Sequence, residues 1–355
     1  MGRKIAGYDG MIIIPVLFLA GFSLAIIWST NPTLFGQQLI FFLIGAFLFF
    51  LVSQVEPDFL RPLAPFLYCL SLFFIFVSFF FPSVRGAHRW ITILGTRFQP
   101  SELIKPFFIA SLASFLSAYP PKNVKLLLVN SLLLIPALFL IFHQPDLGNA
   151  IILLGLWMGM MVVAGLRPHL FLLSTFYFLL SIIPLWHFLK DYQKARVIAF
   201  LNPGFDPAGA GYNAIQAIIA VGSGGLFGQG LGRGTQSHLR FLPEAHTDFV
   251  FASLAEEFGL FGCFLLLLSY FILLWRILTF TKNCRNSFLS IFSIGIFSQI
   301  FLQVFINIGM DLGLIPITGI TLPLVSYGGS SIISTMISLG FIQAVERKKL
   351  YAGDI

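Results

Sequence analysis

Apolar residues along this chain neither alternate nor keep to one face of a helix; they come in long, nearly unbroken runs. Ten such runs lie near 11–29, 36–54, 63–81, 101–118, 126–142, 148–165, 169–189, 249–276, 288–310 and 327–345. A helix needs roughly 20 apolar residues to cross the hydrocarbon core of a bilayer, and these runs approach or exceed that length. Pro and Gly interrupt several of them, which membrane helices tolerate when neighbours satisfy the freed backbone groups. No period of two is present, which argues against a β-barrel. The pattern predicts an all-α integral membrane protein of about ten transmembrane helices, one polytopic unit over residues 1–355. A single large polar interruption, 190–248, separates helices seven and eight.

Composition sharpens this reading. Of 355 residues, 57% are hydrophobic and 10% charged. Soluble domains carry about 25% charged residues, so a water-soluble enzyme is excluded. The start, "MGRKIAGYDG", is basic and precedes an apolar run, as in a signal peptide. No small-x-small cleavage pattern follows, so the run reads as a retained first helix. The three cysteines give no disulfide framework.

Lys and Arg in short loops set the orientation of a membrane protein. With ten spans, the loops on the side of the termini hold Arg3, Lys4, Arg61, Lys122, Lys125, Arg167, Arg276, Lys282, Arg285, Arg347, Lys348 and Lys349, 12 of the 21 basic residues. Both termini are therefore expected in the cytoplasm and 190–248 outside. One short outer loop opposes the rule: "SVRGAHRWITILGTRF" (83–98) carries Arg85, Arg89 and Arg97. Either Trp90 and these arginines anchor the loop at headgroup depth, or the cations bind a phosphate-bearing ligand.

Ionisable groups within apolar runs are expensive and point to function by default. "FQPSELIKPFF" places Glu102 and Lys105 on one helical face, as a packing ion pair or as a functional pair. Asp146 in "HQPDLGNA" reads as a helix N-cap. In the outer loop, "YNAIQAIIAVGSGG" has the stripe of an amphipathic helix lying on the membrane. The glycine-rich "GSGGLFGQGLGRGTQ" permits positive φ and close backbone approach to a ligand, but it lacks the Lys-Ser/Thr of a nucleotide phosphate loop. Nothing in the chain points to nucleic acid. In "FLPEAHTDFVFASLAEEFG", Asp248 falls where the outer loop re-enters the membrane, with Glu256 and Glu257 about two turns further on. Thr247 or His246 is expected to cap that helix, and Asp248 is a helix-end residue favoured by the dipole or a functional carboxylate.

At this point the residues resemble a known family. "GAHRWITILGTRFQPSELIK", "QPDLG", "FLNPGFDPAGAGYNAIQ", "GSGGLFGQGLGRGTQ", "LPEAHTDFVF", "EEFG" and "NIGMDLGLIPITGITLPLVSYGGSS", in this order, resemble the SEDS proteins (shape, elongation, division and sporulation), the group of RodA and FtsW. The resemblance covers essentially the whole chain, and "FLNPGFDPAGAGYN" and "NIGM" look more like the RodA branch. It implies a ten-helix protein of the bacterial inner membrane that polymerises lipid II into glycan strands beside a class B penicillin-binding protein. It also implies catalysis by Asp248 of the HTDF motif, with Glu102 and Lys105 of PSELIK tied to activity.

Lipid II combines a polyprenyl tail, a diphosphate and a reactive sugar bond just outside the membrane. Membrane lipids would therefore flank the site. Asp248 is the candidate base. Glu102, Lys105, Arg85, Arg89, Arg196, Glu244, His246 and Thr247 are candidates for substrate binding. No D-x-D motif specifies a metal, although Mg or Mn is compatible with diphosphate chemistry. Two other functions fit a membrane protein of this kind: a lipid II flippase, which should hold substrate near the midplane, and a non-catalytic cell-wall scaffold, which would not need Asp248.

Overall fold

In the computed structural model, which describes residues 4–5, 8–83, 87–93, 95–202, 209 and 211–352, each of the ten apolar runs is a helix. They are α1 (Gly10–Thr30), α2 (Pro32–Ser53), α3 (Leu60–Val77), the pair α4 (Pro100–Leu103) and α5 (Lys105–Ala118), α6 (Val124–His143), α7 (Leu147–Val163), α8 (Pro168–Phe188), α12 (Val250–Asn283), α13 (Ser287–Asp311) and α14 (Gly329–Ala352). Among the described residues, six stretches are long and apolar enough to cross a membrane: Gly10–Thr30, Pro32–Ser53, Pro57–Phe80, Val124–His143, Val250–Asn283 and Ser287–Asp311. The chain is thus a multi-pass membrane protein. Pro15, Pro65, Pro136 and Pro184 sit inside helices that continue through them.

The fourth run is divided. Pro106 has no N–H to give the carbonyl of residue 102, and its ring crowds that carbonyl. The chain turns at Ile104 between α4 and α5, and Glu102 and Lys105 stand on either side of the joint.

Alternating helix direction brings the two ends of the chain to one end of the bundle. A small hairpin, β1 (Lys4–Ile5) with β2 (Tyr8–Asp9), precedes α1. Asp9 caps α1 through Met11 N–H (2.8 Å), receives the Arg276 guanidinium, and donates its own N–H to Gln343 (3.1 Å). Arg276 also pairs with Glu346 at 2.7 Å. At the opposite end lie the hairpin β3 (Ile91–Ile93) with β4 (Thr96–Phe98), α9 (Asp191–Leu201), α10 (Tyr212–Ser223) and α11 (Thr235–His238). Tyr192 of α9 bonds the Pro145 carbonyl between α6 and α7 at 3.1 Å.

Packing is closest where small residues let backbones approach. A Cβ on Gly340 of α14 would stand 2.9 Å from the Phe49 carbonyl of α2. α8 lies apart: beyond Leu170 at its start, its described side chains are exposed or half-exposed. α10 differs from the expected membrane-surface helix. Its Ala214, Ala217 and Ala220 face is buried, with Ala217 and Ala220 packed against Leu242, Phe249 and Ala252, which leaves Ile218 and Ile219 as its exposed large apolar side chains.

The glycine-rich run is a structural splice. α12 breaks at Gly259, whose φ of 64° and ψ of −163° suit glycine alone. The loop repairs the break from both sides. Gln229 and Gly230 donate N–H to the carbonyls of Glu256 (2.9 Å) and Glu257 (3.1 Å), while Leu260 and Phe261 donate to Gly225 (2.9 Å) and Leu226 (3.1 Å). A Cβ on Gly228 would lie 2.1 Å from the Glu257 carbonyl, and its φ is 79°. Gly228→Ala is expected to lower the thermal unfolding midpoint in detergent, at a cost of about 1–3 kcal/mol for the strained residue plus the clash. An unchanged midpoint would mean that the splice contributes nothing.

Candidate active site

The two glutamates that follow Asp248 serve this splice. Glu256 accepts the N–H groups of Gln236 (2.7 Å) and Ser237 (3.1 Å) and the Ser237 hydroxyl (2.8 Å), so it caps α11. Glu257 accepts Ser29 Oγ (2.5 Å) and faces His238 Nε2 (3.0 Å). Ser29 is in the last turn of α1. Both carboxylates therefore lie at the loop end of the bundle rather than deep in its hydrocarbon span.

Asp248 lies two residues before α12, half-buried in the turn 244–249. That turn is closed by Phe249 N–H to the Glu244 carbonyl (3.3 Å), with Glu244 at a φ of 55°. The capping expected of Thr247 or His246 is not observed. Thr247 Oγ1 turns back to the Glu244 carboxylate (3.0 Å), and Phe249, the N-cap residue, supplies no side-chain bond. The cap comes instead from another helix. Asp311, fully buried at the end of α13, accepts Ala252 N–H through Oδ2 at 2.9 Å. Thr247 and His246 are held through their carbonyls, by Ser326 Oγ (2.7 Å) and Tyr327 N–H (2.8 Å). The His246 ring stands against Tyr327, with centroids 5.8 Å apart. Burial lowers the His246 pKa, opposed only in part by Glu244, which favours the neutral ring.

The far wall is the loop 317–320. Gly319 takes a φ of 72°, which favours glycine, and a Cβ there would stand 3.3 Å from Asp248 Oδ2, a tight contact that would press on the carboxylate. Arg196 Nη1 donates to the Ile317 carbonyl (3.4 Å), and its guanidinium lies 5.7 Å from the Tyr192 ring centroid. The structure thus gathers Glu244, His246, Thr247 and Asp248 on one turn and brings Arg196 to the loop opposite.

Glu102 and Lys105 form a buried ion pair at 2.6 Å, each side chain less than a tenth exposed. Gln303 of α13 donates to the other Glu102 oxygen at 3.2 Å. Asp146 caps α7 through Asn149 N–H (3.2 Å), as its sequence context suggests, and also accepts Gln99 Nε2 (2.6 Å). Arg89 is 3.7 Å from Asp146, partly exposed, and over Trp90. Gln99 N–H donates to Ser330 of α14 (2.8 Å), which ties this cluster to the segment bearing Tyr327. Arg85 lies outside the described residues. Among those residues, no three His, Cys, Asp or Glu side chains gather as metal ligands.

Sequence reasoning missed the element that joins these parts. Gln299, Gln303, Asn307 and Asp311 are fully buried at four-residue spacing on α13. Three of them each hold a separate piece: Gln303 the Glu102 carboxylate, Asn307 the Asp248 carbonyl (2.7 Å) and Asp311 the start of α12. Their period-four recurrence within an apolar run is a readable signal.

The assembly is a polar site at one end of a membrane bundle, with a half-buried carboxylate at its centre and cations at its rim. Known proteins share this fold over nearly the whole chain. Peptidoglycan glycosyltransferase MrdB of Escherichia coli (strain K12) is 37% identical over 346 residues, 95% of this chain and 93% of that protein. A chain from a structure of a peptidoglycan synthase complex, described for the coordination of polymerization and crosslinking, superposes with a TM-score of 0.84 at 30% identity, covering 96% of this chain and 98% of its own. The crystal structure of the rod shape determining protein RodA of Thermus thermophilus gives 0.73 at 29% identity, covering 96% and 97%. The profile of the FtsW, RodA and SpoVE cell cycle proteins matches residues 8–351, so the chain belongs to that family.

Proposed function

We propose that the chain is a peptidoglycan glycosyltransferase that polymerises lipid II at the outer face of the bacterial inner membrane, serving cell elongation and shape. The observation that supports this most is the Asp248 carboxylate, half-buried and backed by the Gly319 backbone at the loop end of a membrane bundle. In this reading the 4-hydroxyl of the acceptor GlcNAc attacks C1 of the donor MurNAc. The new C–O bond forms as the bond from C1 to the diphosphate oxygen breaks, with inversion at C1. Asp248 takes the hydroxyl proton as a general base. Undecaprenyl diphosphate leaves as an anion with a low proton affinity, so it needs charge stabilisation rather than a strong acid.

Arg89, beside Asp146, and Arg196, beside the 317–320 loop, are the described cations proposed for this task, with Arg85 close to Arg89 in sequence. Lys105 is buried against Glu102, which favours a role through the fold over direct substrate contact. Diphosphate chemistry is compatible with a Mg or Mn ion, which commonly takes one or two carboxylates plus substrate phosphates, although among the described residues no three ligand side chains gather to hold one. The basic loops support cytoplasmic termini. A class B penicillin-binding protein is the proposed partner that crosslinks the strands.

Incubation of purified wild type and Asp248→Asn with lipid II, followed by sizing of the glycan product, tests the reading. Arg89→Ala is expected to raise the lipid II concentration for half-maximal rate. One lost charge-assisted contact is worth about 1.5–3 kcal/mol, roughly 10- to 150-fold. Unchanged concentration dependence would leave Arg89 an anchor of the β3–β4 hairpin alone.

A further inference from the structure

Asp248 stands in a turn with no regular element of its own, and its carboxylate faces a second irregular segment, the loop at Gly319. Two loops alone would not fix that geometry. One side chain bonds both. Asn307 Nδ2 donates to the carbonyl of Asp248 (2.7 Å) and to that of Ile320 (2.8 Å). Its two N–H groups lie in a single plane, and the two acceptors determine which way the amide points. Asn307 is fully buried, so water does not compete for either bond.

One turn further along α13, Asp311 receives the N–H of Ala252. Residues 248 and 252 are thus held by residues 307 and 311, with the same four-residue interval on both sides. α13 is a long continuous helix of 25 residues, so it adds a rigid reference to a turn whose neighbouring carbonyls, those of His246 and Thr247, are held by the irregular segment at Ser326 and Tyr327.

We infer that Asn307 is a positioning residue for glycan polymerisation: it locks the Asp248 turn to the Gly319 loop and so fixes where the base carboxylate stands. The inference rests on the base assignment of Asp248 and adds a residue that touches neither substrate nor reacting atoms. A misplacement of about 1 Å in such a group costs roughly 100-fold in rate. Asn307→Asp preserves the shape and removes at least one donor. Asn307→Gln keeps both donors and displaces them by one methylene.

The experiment uses the full chain in lipid vesicles with purified lipid II, with and without the transpeptidase partner. Both variants are expected to lose about 10- to 100-fold in kcat, with KM and lipid II affinity within about twofold of wild type. In an Asp248→Asn background, adding Asn307→Asp should lower the rate no further, because the two act as one unit. Near wild-type kcat in both variants overturns the inference. So does a further loss in the double variant equal to that of the single, or a parallel collapse of kcat, lipid II affinity and thermal midpoint in both, which marks a purely structural residue. An active Asp248→Asn protein would instead remove the base assignment itself. Inactive Asp248→Asn beside fully active Asn307 variants removes only the positioning role.

Discussion

Asp248→Asn folds, binds lipid II and makes glycan at a rate lowered about 100- to 10,000-fold, the usual cost of removing a general base. Three roles compete for this residue: helix cap, transport site and base. Asn caps helices about as well as Asp, so a capping role predicts a variant close to wild type. The structure weakens the capping role independently, because the start of α12 is capped across the bundle by Asp311. The substitution keeps the size of the side chain beside Gly319, whose backbone lies close against the carboxylate. What changes is the ability to accept a proton. Asp248→Glu should recover little, since one extra methylene moves the carboxylate from its position or forces it against Gly319. Gel analysis of polymer from labelled lipid II reads both variants, and activity of Asp248→Asn within about tenfold of wild type would refute the base role.

The second large effect lies in the buried pair. Lys105→Ala should destabilise the protein by about 3–5 kcal/mol, the cost of leaving one partner of a buried ion pair alone. Among the described residues, Glu102 would keep the Gln303 amide on one oxygen, in a buried site. Removing both charges in Glu102→Ala, Lys105→Ala should cost less than Lys105→Ala by itself, because no uncompensated charge remains. Thermal unfolding in detergent measures the difference. Activity separates structure from substrate contact: a double variant that regains polymerisation assigns the pair to the fold. One that stays inactive while regaining stability assigns Lys105 to the substrate, against the burial seen here.

The helices over the ten apolar runs were legible because helix length and hydropathy are local, and among the described residues six of these stretches are long and apolar enough to cross a membrane. The Glu102–Lys105 pair and the Asp146 cap were legible for the same reason, each resting on a spacing of three residues. The splice at Gly259 was not. Nothing around "EEFGLFG" says that its glycine leaves the helix, because the backbone bonds it gives up are returned by residues 225–230, far away in sequence. Glu256 and Glu257 consequently resemble buried catalytic groups in sequence, yet they cap α11 and hold Ser29 and His238. The cap on α12 was misassigned to Thr247 or His246 because a cap is usually local, whereas Asp311 reaches it from 59 positions along the chain. The stripe Gln299, Gln303, Asn307, Asp311 carries a readable period of four, three neutral amides within an apolar run and a carboxylate just past its end, and buried amides need partners as surely as charges do.

Lipid II polymerisation by the wild-type chain is the central claim, and product length after reconstitution tests it most directly. The protein is placed in vesicles with labelled lipid II, alone and with its transpeptidase partner, and products are sized while leaflet exchange of the label is followed in parallel. The account predicts glycan strands of many disaccharides, released undecaprenyl diphosphate, and loss of both in Asp248→Asn. Lipid II that moves between leaflets and never lengthens, even with the partner present, would contradict it.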